Sequence, residues 1–204
     1  GILTREIAAA ENVSGGFGAV YDILKALEDA GRIRRGYFAS GVGATQFALP
    51  AALDLLRSFK EEPEEPEVVV LAATDPANPY GTILRWPEAA RSAAAENVPE
   101  GQGDEGLPRR SAPEGRAKAG PTRSAGSLVV IVNGTLAAYI GRGARQLLAF
   151  LPDDDPAQAA TARALASTFA RIGRLVHEIN GLPASQHPLA PYLVEAGFSP
   201  SAMG

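Results

Sequence analysis

The sequence predicts an α+β chain: a helix-turn-helix with a hairpin wing, then a mostly antiparallel sheet that carries at least one helix. Three observations carry that expectation. Apolar residues recur at helical spacing in "SGGFGAVYDILKALEDAG"; the period then shortens to extended runs around the glycines of "GYFASGVGATQFAL". Beyond an acidic, proline-broken stretch come β-rich runs punctuated by the Asn-Gly turn pairs of "SLVVIVNGTLAAYI" and "RLVHEING".

In order along the chain, Thr4 is a candidate cap for a short helix that places Ile7 and Ala10 on one face. A turn with Ser14 and two glycines precedes a longer helix, in which Phe17, Val20, Ile23, Leu24 and Leu27 recur on one side and Gly31 terminates. Phe17 and Leu24 are read as its core anchors. Ile33 and "GYF", then "ATQFAL", predict two antiparallel strands joined through Ser40, Gly41, Val42 and Gly43. Pro50 suits the first turn of a further helix burying Leu53, Leu56 and Phe59. This first unit spans residues 1–60, an acidic linker "EEPEEP" follows at 61–66, and residues 67–204 form the second unit.

In the second unit, Val68 to Ala72 and Leu128 to Val132 read as strands, and Leu136 to Ile140 pairs with the latter across Asn133 and Gly134. "RGARQLLAF" returns as a third strand, and Thr82 to Trp86 is a further candidate. Residues 89–121 lose apolar periodicity and read as a flexible insertion. Asp153 to Asp155 could gather a cation, but their place before Pro156 and an alanine-rich run favours helix capping. His177 falls in a final strand beside Glu178, which alternation sends to the other face, and His187 falls in a loop.

Composition bounds the chemistry. The chain lacks cysteine, which excludes disulfides and thiolate metal sites, and it has only two histidines. No "GxxxxGKS" or "GxxxxGKT" phosphate loop occurs, no membrane-length apolar run is present, and no catalytic set can be assembled from spacing. The expected chain is therefore cytoplasmic, with no membrane partner and no metal or catalytic residue of its own. The glycines at both ends suggest a piece of a longer polypeptide, with the first unit N-terminally truncated.

The net charge of -4 hides local reversals. Arg32, Arg34 and Arg35 stand at the base of the hairpin, where they are candidate phosphate anchors, with Ser14 and Lys25 as further candidates on the preceding turn and helix. Sequence-specific base reading is not expected, because that helix offers no compact set of Arg, Asn and Gln. A second basic run, Arg109 to Arg145, adds Arg142 and Arg145 as candidates; solubilising a loop is the other reading of that run. Trp86 could stack on a base or seal a core edge beside Pro87; both readings are open.

The combination of "GGFGAVYDILKALEDAGRIRRGYFASGVGATQFALP", "VVVLAATDPANPYGTILRWP" and "SLVVIVNGTLAAYIGRGARQLLAF" resembles the C-terminal region of bacterial large helicase-related (Lhr) proteins over nearly the whole chain. The resemblance implies that residues 1–60 are the last of several winged helices and that the rest is a small, mostly antiparallel β-barrel-like domain. It implies an accessory DNA-binding or assembly region of an ATP-dependent DNA repair helicase, with ATP and Mg²⁺ confined to a motor elsewhere in the parent. The implied partners are single-stranded or duplex DNA, the rest of the parent helicase and, as an option, a second copy of the chain. The architecture is also similar to that of bacterial DNA glycosylases, which leaves two alternatives: damaged-base processing by the full C-terminal extension, or a purely structural oligomerisation role. The glutamine-centred motif of those glycosylases is absent around Gln46 and Gln146, so neither is assigned to catalysis.

Overall fold

A computed structural model describes residues 1–59, 63, 65–87, 120–144 and 147–199. The chain forms two compact units: Gly1–Glu65 with Pro76–Trp86, and Pro66–Asp75 with Pro87–Gly204. The expected insertion at 89–121 lies, but for its last two residues, outside the described residues, as do Arg145 and Gln146.

The first unit runs β1 (Ile2–Leu3), α1 (Arg5–Ala10), α2 (Gly16–Asp29), β2 (Arg34–Gly36), β3 (Gln46–Ala48) and α3 (Pro50–Ser58). Its antiparallel sheet has the order β1-β3-β2, with Leu3 and Arg35 flanking Phe47. Thr4 caps α1 by accepting the Ile7 N–H at 3.3 Å, which satisfies one of the amides a helix start leaves without a partner. The core gathers Ala8, Phe17, Ile33 and Phe47, with Tyr21, Leu24 and Leu27 partly buried against them. Phe17, Tyr21 and Phe47 have ring centroids 6.0 to 6.3 Å apart, a spacing at which aromatic pairs add to simple area burial.

Three details of this unit differ from the periodicity. On α1 the fully buried residue is Ala8, while Ala10 is exposed, because a six-residue helix meets α2 over a single turn. On α2, Ile23 is 61% exposed; the core contact is carried by Phe17, Tyr21, Leu24 and Leu27, a face rotated toward Tyr21 and away from Ile23. No residue of α3 is buried. Its small Ala52 lies against Gly1, and the Leu49 N–H donates to the Gly1 carbonyl at 2.9 Å, so α3 rests on the start of β1 through small groups. Leu56 and Phe59, expected inside, are exposed.

Pro76–Trp86 forms a compact turn and not the strand expected at Thr82–Trp86. The Pro79 carbonyl accepts from the amides of Thr82, Ile83 and Leu84, which coils the backbone and leaves a single bridge between Tyr80 and Leu84. Asn78, fully buried, closes the entry by accepting the Tyr80 N–H at 3.1 Å.

The second unit is a four-stranded antiparallel sheet, order β4-β5-β6-β7, from β4 (Val68–Ala72), β5 (Leu128–Val132), β6 (Thr135–Ile140) and β7 (Leu147–Ala149). Asn133 and Gly134, both at positive φ, make the β5–β6 turn, and a register shift between Val130 and Ile131 bends the pair. Helices α4 (Asp155–Arg171) and α5 (Ala190–Glu195), the latter with its N-cap Leu189, bury Leu165, Phe169, Leu189 and Leu193 with Val130, Ala138 and Ile140 of the sheet. Asp154 is the N-cap of α4, its carboxylate accepting the Ala157 N–H at 3.1 Å, as its position before Pro156 implies. No helix among the described residues is long and apolar enough to cross a membrane.

This sheet does not close into a barrel. Four strands are fewer than the about five to eight that closure takes, and the residues after β7 continue into α4 instead of returning to β4. The outer edge of β7 is occupied by Asn180. Its side-chain amide accepts the Ala149 N–H and donates to the Ala149 carbonyl, both at 2.9 Å, and its backbone N–H donates to Leu147. Asn180 and Gly181 sit at positive φ in the turn between β8 (Glu178–Ile179) and β9 (Leu182–Pro183), a separate ribbon. His177 precedes that ribbon on an exposed stretch and is not part of a strand.

His187, by contrast, is buried. The Leu189 N–H donates to its Nδ1 at 3.2 Å, so the neutral ring carries its proton on Nε2, which lies 3.4 Å from the Asn180 amide nitrogen. Burial pushes the imidazole below its ordinary 6.5, and protonation would replace the Nδ1 acceptor with a second donor. Between the folded and unfolded values the unfolded chain binds more proton, so this contribution is complete above about pH 6.5 and is lost as the pH falls below it. Thermal unfolding followed from about pH 7.5 to 5 should show that decline, and His187→Asn, which keeps an acceptor for Leu189, should flatten it.

Candidate nucleic-acid interface

The hairpin of the first unit is organised by one buried amide. Gln46, with no exposed surface, reaches back across the loop between β2 and β3. Its Oε1 accepts the N–H groups of Phe38 and Ala39 at 2.8 and 2.9 Å, while its Nε2 donates to the carbonyls of Ala39 and Gly43 at 2.7 and 3.0 Å. A primary amide has two donors and two acceptor lone pairs, so these contacts satisfy the group completely. Gln46 is thus the frame of the wing.

Two further contacts brace the loop. The Gly43 N–H donates to Glu6 Oε1 at 3.1 Å, tying the wing to the first turn of α1. Glu6's own backbone amide above all, and then the Thr4 hydroxyl, the Gly43 N–H and Arg5, hold its carboxyl below the usual range against the opposing effect of partial desolvation. A Cβ at Gly43 would sit 3.1 Å from that oxygen, and one at Gly41, where φ is +77°, would sit 3.3 Å from the Leu84 side chain. At both places a side chain would require its neighbour to give by a few tenths of an ångström, and at Gly41 the positive φ favours glycine as well.

The candidate contact residues distribute unevenly. Arg32, Arg34 and Arg35 lie together at the base of this hairpin and are exposed. Arg35 is engaged: its Nε is 3.2 Å from Glu28 Oε1 on α2. Arg32 and Arg34 make no ion pair among the described residues. Lys25 is exposed in α2 but shares its face with Asp22 and Asp29, three and four residues away. Ser14 is exposed in the turn before α2, whose N-cap is Gly15. Fourteen residues of helix at 1.5 Å each put Ser14 about 21 Å from the arginine end, so the structure does not gather these positions into one site.

Trp86 packs inside the Pro76–Trp86 turn. Its indole stacks on Tyr80, centroids 6.2 Å apart and planes 24° apart, and a Cβ at Gly81 would lie 2.6 Å from the ring nitrogen. In the second unit, exposed Arg142 opens a short 3-10 turn and lays its stem along Gly126. Beneath that loop, Tyr139 donates to the Ser127 hydroxyl at 3.1 Å; burial raises the phenol while Ser127, Thr122 and Ser124 together bring it below its usual value. Arg145 lies outside the described residues. The roles of Gln46 and Glu6 are not visible in the sequence, because both depend on contacts across the loop.

Residues 1–68 match a family model described as large helicase-related protein, winged-helix domain. Over 190 residues, 89% of this chain, the sequence is 41% identical to a Mycolicibacterium smegmatis protein named "Lhr helicase/ probable uracil glycosylase". Over its whole length it is 32% identical to an Escherichia coli K12 protein named "Lhr helicase/uracil glycosylase". The chain belongs to the large helicase-related (Lhr) family. It spans only 11% and 12% of the lengths of those two Lhr relatives. The Lhr winged-helix match includes the whole of the Gln46-framed hairpin and its arginines.

Replacing Gln46 with alanine leaves two amides and two carbonyls of the wing without partners. At about 1 to 3 kcal/mol for each buried group left unsatisfied, the loss is large enough to loosen the loop, although exposed groups can recover water. Hydrogen exchange should show Phe38 and Ala39 losing protection in Gln46→Ala while the amides of α4 keep theirs.

Proposed function

We propose that the chain is an accessory DNA-engaging region of an ATP-dependent DNA repair helicase and that its contact surface is the wing. One observation carries this reading: two arginines with no ion pair among the described residues, Arg32 and Arg34, stand at the base of a hairpin cross-linked by Gln46. In a winged helix the second helix can enter a major groove while the hairpin meets the adjacent backbone. Here α2 presents Gly18, Ala19, Asp22 and Ile23 outward, with Lys25 as its one long cation on that face. Such a face reads bases poorly and repels phosphate at Asp22. The wing therefore supplies the affinity, through phosphates and without sequence preference. ATP and Mg²⁺ belong to the motor of the longer parent protein, and the remainder of that protein is the chain's other partner.

The test is the salt dependence of duplex binding. Replacing Arg32, Arg34 and Arg35 together with alanine should weaken binding and lower the slope of log affinity against log salt by about 2, one step each for Arg32 and Arg34, with Arg35 contributing less. An unchanged slope in a folded triple variant rejects the assignment.

Both relatives carry uracil glycosylase in their names, which favours a second reading: this region takes part in base release by the whole protein. Uracil release by a full-length relative should then fall when the region corresponding to this chain is deleted. Equal release with and without it rejects that reading.

A further inference from the structure

The aromatic pair that follows β2 is split by the fold. Phe38 is half-buried and folds back over Gly36, where a Cβ would lie 2.7 Å from its ring, while its N–H donates to Gln46 Oε1 at 2.8 Å. Tyr37 is turned outward, 64% exposed. No acidic residue occurs between Arg34 and Ala48, so the ring of Tyr37 stands on a stretch of chain whose only charges are positive. The backbone on its C-terminal side is braced by Gln46 and by Glu6 at Gly43.

An exposed tyrosine on a braced backbone is a stacking platform. Every nucleobase has a π face, so stacking on an aromatic ring is tolerant of sequence, and a preorganised ring loses little conformational freedom on contact. In an intact duplex the base faces are occupied by their neighbours; they become available in a single strand or where a duplex ends in one. An apolar protein partner would also use an exposed ring, but the flanking arginines match a polyanion better.

We propose that Tyr37 stacks on an unpaired base, so that the wing engages the junction between duplex and single strand in preference to continuous duplex. This rests on the wing being the DNA-contacting surface, and the test separates the two.

The 204-residue chain is titrated with a blunt duplex and with the same duplex carrying a single-stranded tail, over a range of salt. Tyr37→Ala should weaken the tailed duplex about five-fold or more and the blunt duplex under about two-fold, with unchanged salt slopes, because stacking releases no counterions. Tyr37→Trp should retain tail binding, and Tyr37→Leu, of similar bulk without a π system, should not. A lowered slope in the arginine triple variant together with wild-type tail binding by Tyr37→Ala leaves the basic wing standing and overturns the stacking. An unchanged slope in the triple variant with selective loss in Tyr37→Ala does the reverse. Equal losses on both duplexes, or no binding of the tailed duplex by the unaltered chain, also overturn it.

Discussion

The wing of the first unit depends on the burial of one amide. Gln46 has no exposed surface and would be costly in that position with any partner missing, since a buried polar group without a hydrogen bond loses its water and gains nothing. The loop from Tyr37 to Thr45 has few large apolar side chains, Tyr37, Phe38 and Val42, and adds nothing to the buried core of the unit. The amide substitutes for that missing core by fixing two amides and two carbonyls from residues 38, 39 and 43. The proposals for the wing rest on this constraint: the backbone after Tyr37 is fixed, Tyr37 is exposed, and the arginines of β2 stand at the root of a defined loop.

The second unit solves a related problem at a sheet edge. The last strand of an open sheet presents unpaired amides and carbonyls, which invite another strand. Asn180 covers part of that edge by returning both hydrogen bonds of Ala149 from a side chain, as a neighbouring strand would from its backbone. The positive φ that lets Asn180 occupy a tight turn thus also aims its amide at β7. His187 sits near this contact, and burial pushes its imidazole below the ordinary value.

Electrostatics set the division of labour within the first unit. The acidic groups nearest the wing are already engaged, Glu28 with Arg35 and Glu6 with the Gly43 amide. Asp22 and Asp29 remain on the outer face of α2, where they offset Lys25. The unit is therefore polarised along the chain, with the helix electrically mixed and the hairpin base positive. A net charge of -4 for the whole chain conveys none of this, because the separation arises between residues that differ by only a few positions.

Local signals were legible wherever the backbone alone decides the outcome. Asn133-Gly134 and Asn180-Gly181 announced their turns because a tight hairpin needs positive φ at both positions, and Asp154 before Pro156 announced a cap. Val68 to Ala72 and Leu128 to Val132 were readable as strands from apolar β-branched runs. The tertiary structure decided what periodicity cannot encode, namely which apolar face finds a partner. It left Ile23 and Phe59 in solvent, coiled Thr82 to Trp86 around the Pro79 carbonyl, buried His187, and kept the four-stranded sheet open. It also turned Gln46, an ordinary polar residue in a strand pattern, into the frame of the wing, because the value of a buried amide depends on groups that the fold brings to it from elsewhere in the chain.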